Sequence, residues 1–439
     1  MRANTERSEG LRTLPAGPAV RQDMGRDSMG EKPLIAAVRR GDAKTVETLL
    51  EAGADPNTVD EHGTPALCLA VDAFDLPVAE VLMTSAWLNC TAADGRTPLL
   101  RAIELGNHSI AAALTNHGAH LWPKDAEGRD ALELARYWHT TGAETELRRR
   151  SGSPTPAGRR TVREESGTVC EELSLGGLTV RTGHAAILTD LESKYGVTPS
   201  FAELMKRALA EPDVDHEVWW ATTHALRQRE DPSVWDAAGA LRDRPDPLER
   251  YFGALVLRLG VLFDMSDDES FVRPIVDHLL PWAAREGDPR VMRELTAGLS
   301  DALDPRAAQA LPALTRHHDA EVRRWAVSGL QWPIRTGNPQ ALAAVVACTR
   351  DADAAVHVGA CKALGDAPTD ALVASDALAM CLHDEDEAVR VTAAVRLALR
   401  DDPRGDEVLR GVDNTDQDSP YYWDLHDVRR HRQVPNPAR

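Results

Sequence analysis

Much of the usual chemical equipment is missing from this sequence of 439 residues. No stretch reads G-x-x-x-x-G-K-[ST], G-x-G-x-x-G or G-x-S-x-G, which leaves out the common phosphate cradle, dinucleotide fingerprint and nucleophile elbow. The six cysteines, Cys68, Cys90, Cys170, Cys348, Cys361 and Cys381, never fall as C-x-x-C. Scattered thiols of this kind, several on apolar helix faces, read as reduced core residues of a cytoplasmic protein, with no disulfide framework or zinc ribbon. Histidines gather at Arg316–Asp319 and at His426–His431. Neither group has a second pair of ligands, so no metal and no cofactor is expected. The acidic run from His383 to Glu387 precedes an apolar-periodic helix and is expected to be a solvated cap instead of a catalytic carboxylate pair.

Aromatic residues make up only 5% of the chain against 43% hydrophobic residues in all. That balance suits a long helical array better than one large globule. The longest apolar run, Tyr251 to Phe263, is broken by Arg258 and is too short to span a bilayer, and no apolar leader opens the chain. A soluble, unexported chain is expected. Basic residues are short as well: 50 Lys and Arg against 69 Asp and Glu give a formal charge of -19. Binding to a phosphate backbone needs clustered cations that displace counterions, so neither nucleic acid nor an anionic membrane is the expected partner. Another protein, with a basic or neutral surface, is.

What the sequence does contain is repetition. The stretch "DGRTPLLRAIELGNHSIAAALTNHGA", Asp94 to Ala119, reads as a turn, two short amphipathic helices and a glycine stop. Two helices of that size leave one flank open, so the unit must recur. Pro65 and Pro98 stand 33 residues apart, as do Gly95 and Gly128, and a further copy begins at Pro33. Thr64 and Thr97 are expected to cap helices that start on proline, and Gly53 and Gly118 to end others. Phe74 takes the slot that Gly41 and Gly106 fill in other copies. "SAWLN", Ser85 to Asn89, replaces "GAxxN". Phe74 and Trp87 are therefore either packing plugs, as large aromatics usually are, or exposed contacts.

This period with T-P-L starts and G-A-D ends resembles the ankyrin family over residues 30–147. The resemblance implies turn tips that reach outward to a partner protein. The tips carry Glu61 and His62, then Asp94 and Arg96, then Glu127 and Arg129, and the first helices add Arg39, Arg40, Arg101 and Glu104 beside them. Mixed charge of this kind suits specificity more than raw affinity, so Phe74 or Trp87 is the expected apolar anchor. Replacing Arg96 and Arg129 by glutamate is expected to leave stability intact.

Residues 148–168, "RRRSGSPTPAGRRTVREESG" and its neighbour, have the composition of a flexible linker. "EELSLGGLTVRTG" then alternates around two glycines as a β-hairpin, and residues 169–198 are read as this hairpin and a connecting helix. From residue 199 to 405 a second repeat appears, D-x-x-V-R-x-x-A-x-x-x-L. It is clearest from Asp319, Asp353 and Asp386, and weaker from Asp215, Asp246 and Asp288. This pattern resembles HEAT repeats of the short bacterial kind. Its aspartates are expected to cap the second helix of each pair. Arg323 and Arg390 are expected to reach the next unit's aspartate, with His357 in the equivalent position between them. Trp219 and Trp220 are adjacent on one helix and cannot both face one core, so one of them is expected at the surface as a contact. Residues 1–29 are read as a disordered tail. Residues 406–439 are read as a polar tail from which Tyr421, Tyr422 and Trp423 dock back.

The fold class expected is all-α: two α-solenoids, ankyrin then HEAT-like, joined by a linker and a small β-hairpin. The expected function is a monomeric, non-catalytic scaffold or adaptor that binds a protein through the ankyrin turn tips and a concave HEAT groove. Two other classes stay open. A nucleic-acid-binding or base-repair HEAT protein, of the alkylpurine DNA glycosylase kind, needs a basic groove around a catalytic aspartate. A HEAT-type lyase or chaperone needs a deep pocket.

Overall fold

The computed structural model describes residues 32–164, 167–264, 271–412 and 419–433; the tail expected at residues 1–29 lies outside them. The first four helix pairs are α1 (Pro33–Arg39) with α2 (Ala43–Glu51), α3 (Ala66–Asp72) with α4 (Leu76–Met83), α5 (Pro98–Glu104) with α6 (His108–Asn116), and α7 (Ala131–Thr141) with α8 (Ala143–Ser151). Their turns explain them. Asp42, Asp75 and Asn107 cap α2, α4 and α6, each accepting the backbone N–H three residues on, at 3.0, 3.0 and 3.1 Å. Thr97 caps α5 in the same way, with Pro98 in the first turn, where a missing N–H costs nothing. Thr64 does not cap α3. Pro65 holds that cap position, and the Thr64 carbonyl instead accepts the Asp60 N–H at 3.0 Å. Phe74 adopts a left-handed φ of 57°, beside 68° for Gly41 and 63° for Gly106. The glycine turn is thus kept without glycine, at a strain of roughly 1–2 kcal/mol. The Phe74 ring is half-buried, with the Arg181 guanidinium 4.7 Å from its centroid. It is a plug, not an exposed anchor.

The described residues of 148–168, up to 164 and from 167, do not form a flexible linker. The helix α8 continues to Ser151, and β1 (Gly158–Arg163) pairs antiparallel with β2 (Val169–Leu175), which pairs antiparallel with β3 (Leu178–Arg181). The two-glycine hairpin is present, Gly176 and Gly177 taking φ of 60° and 82°, but it belongs to a three-stranded meander. Charge composition misled here because every arginine in the segment has an acidic partner. Arg148 meets Glu144, Arg149 and Arg150 meet Glu146, Arg159 meets Glu144 and Glu171, Arg160 meets Glu172, and Arg163 meets Asp215. Glu146 is buried among these groups. The bond from Arg149, joined by those from Arg150 and the Tyr137 hydroxyl, outweighs burial and holds its carboxyl down at about 2.

Next comes α9 (His184–Lys194), which belongs to both arrays. Its Ile187, Leu188 and Leu191 join Leu173, Leu175 and Val180 of the sheet in the ankyrin core, against Leu99, Ile103 and Trp138. Its Ala185 packs on the core of the second array. The chain approaches closely at Gly106, where a side chain would overlap the Arg181 carbonyl. Arg181 N–H donates to the Leu105 carbonyl at 2.7 Å. Polar clasps close the joint. His108 on α6 faces Asp190 at 2.8 Å and Glu217 at 3.5 Å, and Glu192 meets the buried Arg207 at 2.6 Å.

The second array has six helix pairs among the described residues: α10 (Phe201–Leu209) with α11 (Glu217–Arg227), α12 (Pro232–Gly239) with α13 (Pro247–Leu262), α14 (Val272–Ala283) with α15 (Pro289–Asp301), α16 (Pro305–Leu314) with α17 (Ala320–Gly329), then, after the short α18 (Gln331–Arg335), α19 (Pro339–Cys348) with α20 (Ala354–Gly365), and α21 (Leu372–Cys381) with α22 (Glu387–Leu399). Asp246, Asp288, Asp319, Asp353 and Asp386 cap the second helices α13, α15, α17, α20 and α22. Asp215 does not cap α11; its neighbour His216 does, Nδ1 accepting the Val218 N–H at 3.3 Å.

The reach from one unit to the next is present with a shifted target. Arg323 bonds Asp351 at 2.6 and 2.7 Å, Arg250 bonds Glu286 at 3.0 and 3.1 Å, and His357 faces Asp384 at 3.0 Å. Each acceptor stands two residues before the capping aspartate and also takes that cap's own N–H, at 2.8 to 3.0 Å. Arg390 differs again, donating to the Asp384 and Glu385 carbonyls at 2.8 Å. Asp319 is a cap reached directly, by Arg293 at 2.6 Å, and this pairing outweighs burial to hold it down at about 2.

The inner helices α1, α3, α5, α7, α9, α11, α13, α15, α17, α20 and α22 pack in unbroken succession. The last described elements are α23 (Asp406–Gly411) and α24 (Tyr422–Gln433). The expected polar tail is therefore helical where it is described. Leu425 and Val428 bury themselves on Val391, Val395 and Ala398, with Tyr421 packed beside them, whereas Trp423 is 74% exposed. Trp423 does not dock back because it lies on the side of α24 turned away from α22.

Two outcomes follow from this packing. Removing the chain from Tyr421 onward should lower the melting temperature, since burying a large aliphatic side chain is worth about 1.5–3 kcal/mol, whereas Trp423→Ser should leave it unchanged. Thermal unfolding by circular dichroism checks both, and equal melting of the truncated chain would remove the capping role of α24. His108 sets a pH dependence. Burial pulls it down, but the bonds to Asp190 and Glu217 prevail and lift it to about 10. A folded-state value above the unfolded one, near 6.5, gives stability that is complete below pH 6.5 and lost as pH rises towards 10. His108→Gln should flatten the unfolding free energy between pH 7 and 10; a slope equal to the wild type's would count against the clasp.

Candidate protein-binding surface

The three ankyrin turn tips share one construction. The N–H of Asp60, Ala92 and Asp125 bonds the carbonyl four residues on, at 3.0, 3.2 and 2.9 Å. In the outer two tips the aspartate adds a clamp. Asp60 Oδ1 accepts from the His62 and Thr64 N–H groups, and Asp125 Oδ1 from Glu127 and Arg129. The charges expected to face a partner are largely matched within the chain. Arg39 pairs with Asp60 and Glu61 at 3.0 and 2.9 Å, and Arg101 with Asp72 and Asp94, both at 2.7 Å. Arg96 pairs with Glu104 at 2.9 Å, and Arg129 with Asp125 and Glu127 at 2.7 and 3.0 Å. Glu104 is buried and also meets Arg150, so it is not a contact residue. Arg40 and His62 are exposed.

The apolar side chains sort cleanly. Trp219 is 1% exposed and donates its indole N–H to the Glu211 carbonyl at 3.0 Å, so it belongs to the core and is withdrawn as a contact. Trp220 is 44% exposed, stacked on His224 and edge-on to Phe263. Trp87 is 71% exposed. Its backbone N–H is tied to Asn57 Oδ1 of the previous repeat at 2.7 Å, and in the next repeat His120 N–H is tied to Asn89 Oδ1 at 2.8 Å. This asparagine ladder fixes the backbone and leaves the indole outside. Sequence reasoning missed Trp122, 69% exposed and stacked on His120 at 5.9 Å. Its signal was there: Trp122 stands in the slot held by Asn57 and Asn89, where the last such loop has no further ankyrin loop to tie. Trp87, His120 and Trp122 thus form an aromatic edge on consecutive loops.

In the second array, an open trough of about 580 Å³ runs between α17, α20 and α22, lined by Trp325, Val358, Gly359, Arg324 and Lys362. Along this side Arg258 lies over the Trp325 ring at 4.7 Å and pairs with Glu294 at 2.8 Å, and Arg324 pairs with Glu321. Asp386, at the edge of the trough, is occupied as the α22 cap. No group of three or more metal-type ligands occurs among the described residues, and no described helix is long and apolar enough to cross a membrane.

The internal pairing reverses one expectation. Burial drives Asp125 up, but the Arg129 N–H and guanidinium prevail and keep it below the usual carboxylate range. Arg129→Glu should therefore destabilise the chain by about 1–3 kcal/mol, because it strips a buried acceptor and adds a like charge. Urea unfolding checks this, and a wild-type midpoint would mean that Arg129 is free for a partner after all.

Comparison with known proteins agrees with the repeats just described. A profile of the ankyrin repeat matches residues 29–61, and one of HEAT repeats matches residues 276–356. The chain is 30% identical over 110 residues to the transient receptor potential cation channel subfamily A member 1 homolog of Caenorhabditis elegans, covering 25% of this chain and 9% of that protein. It is 35% identical over 111 residues to neurogenic locus notch homolog protein 2 of Homo sapiens, covering 25% of this chain and 4% of that protein. An ankyrin repeat-containing protein of Treponema pallidum is 32% identical over 107 residues, 24% of this chain and 36% of that protein. The chain is an all-α repeat protein in which ankyrin repeats near the N-terminus are followed by HEAT repeats.

Proposed function

We propose that the protein is a non-catalytic, monomeric, cytoplasmic adaptor whose ankyrin array binds another protein along the aromatic edge of its loops. The observation that carries this reading is the exposure of Trp87 and Trp122, at 71% and 69%, on loops that the asparagine ladder ties at the Trp87 and His120 N–H groups. Large rigid side chains presented at low entropy cost are what anchor interfaces, and the paired charges of the turn tips supply register around them. The base-repair alternative needs a free aspartate in a basic groove, whereas Asp386 is engaged as a helix cap and Arg258 is neutralised by Glu294. The lyase alternative needs a deep pocket, and the trough beside Trp325 is open.

The test is affinity capture from the source cell with the full chain and with Trp87→Ser plus Trp122→Ser. Hot-spot tryptophans contribute roughly 2 kcal/mol or more each, so the double variant should lose its specific partner at least about tenfold while melting as the wild type does. Full retention of that partner would remove the ankyrin edge as the binding surface.

A further inference from the structure

A second apolar surface lies at the C-terminal ends of the inner helices of the HEAT array. Leu262, Asp301, Leu303, Trp332, Arg335 and Asp366 line a groove of about 400 Å³. Three features of this groove bear on its use. Leu303 is held at a left-handed φ of 47°, where glycine is the natural choice, and its side chain is 64% exposed. Glu230 and Asp401 take the same left-handed turn just before the caps Asp231 and Asp402, as Leu303 does before Asp304. The turn thus serves the helix stop, and what is particular to Leu303 is an apolar side chain left in water. Trp332 is likewise more than half exposed, and Leu262 nearly so. Asp301 closes α15, at the helix end where the dipole disfavours a negative charge, and its Oδ2 is buried without a hydrogen bond from any described residue. Its nearest cation, Arg258, bonds Glu294 through a terminal nitrogen and turns its Nε, itself without a hydrogen bond, to that Oδ2 at 3.8 Å, while the Asp301 side chain stays 21% exposed. One guanidinium is thus shared by two carboxylates, and with Asp366 and Arg335 also on the groove one negative charge is left over.

We infer that this groove docks a basic, leucine-bearing segment of a partner protein, whose lysine or arginine pairs with Asp301 while its aliphatic neighbours lie on Leu262, Leu303 and Trp332. The inference rests on the adaptor reading and adds to it a site and a chemistry. Charge complementarity selects the occupant: a chain of formal charge -19 repels acidic segments, its own included, and Asp301 answers a cation. Arg335, 5.5 Å over the Trp332 ring, offers the groove's own charge to an acidic residue flanking that segment.

The test is selection of a phage-displayed random peptide library, of about 12 residues, on the full chain, with the recovered peptides then synthesised and titrated. Enriched peptides should carry Lys or Arg beside Leu or Ile, and should bind Asp301→Asn and Trp332→Ala at least about tenfold more weakly. Leu303→Gly should also weaken them, yet melt at the wild-type temperature or above, because glycine relieves the backbone strain. That combination is not what a merely structural leucine would give. Enriched peptides without a basic residue, or unchanged affinity in all three variants, would overturn the proposal. Peptides lost on Trp87→Ser but kept on Asp301→Asn would overturn it while leaving the adaptor reading in place. Tighter peptide binding after removal of residues 1–30 would also overturn it, since the chain's own N-terminal segment would then be the occupant.

Discussion

A solenoid is stable only while each helix pair finds a neighbour on both sides, and a change of repeat type puts that condition at risk at one point. Here the point is α9. The inner helices of the first three ankyrin units are 7 residues long, too short to lie along the 16-residue α13. The mismatch is bridged by α7, α9 and α11, each of 11 residues. Gly106 lets the β3–α9 turn approach the ankyrin backbone, and His108 and Arg207 bind their carboxylates across the joint. Without this graded seam the two arrays would each end in an open apolar face.

The same joint decides what the charges do. A chain with 69 acidic residues places its scarcer cations where backbone or carboxylates need them. Arg149 and Arg150 neutralise buried Glu146, and Arg250 and Arg323 tie one repeat to the loop of the next. Such pairs across partly buried positions give register more than net stability. One consequence reaches the surface: the turn-tip arginines are already engaged within the chain, so under the proposed adaptor role the affinity comes from apolar groups the fold leaves outside.

Much of this was legible in the sequence where a residue has a local duty. Most of the capping aspartates, the proline starts and the two-glycine turn act within a few residues of themselves, and the structure keeps them, Asp215 excepted. Thr64 and Asp215 were displaced as caps by their next neighbours, whereas the other misreadings share one cause, a duty performed at a distance. Arg159, Arg160 and Arg163 look like tether composition because their partners Glu171, Glu172 and Asp215 are far along the chain or on another element. Arg323 was given the wrong aspartate by two positions, since only the three-dimensional offset between repeats chooses Asp351 over the cap. Phe74 was recognised as filling a glycine slot, but its cover, Arg181, comes from β3. Trp219 and Trp220 could be split into one inside and one outside, though not assigned, because helical phase relative to the neighbouring repeat is a tertiary property.

A packed joint also changes what two surfaces on one chain can do together. Two docking sites linked by a flexible tether tolerate any partner spacing, at the entropy of ordering the tether. The two proposed sites, the aromatic edge around Trp87 and the groove around Asp301, are instead carried on one uninterrupted row of inner helices, so their separation is set by the stack. A partner that spans both gains the full effective concentration of the second site when its own geometry matches, and almost none when it does not. Selectivity of this kind needs no deep pocket and no large basic face. The composition of the chain, poor in both aromatics and cations, is compatible with it because a few exposed tryptophans at fixed spacing suffice.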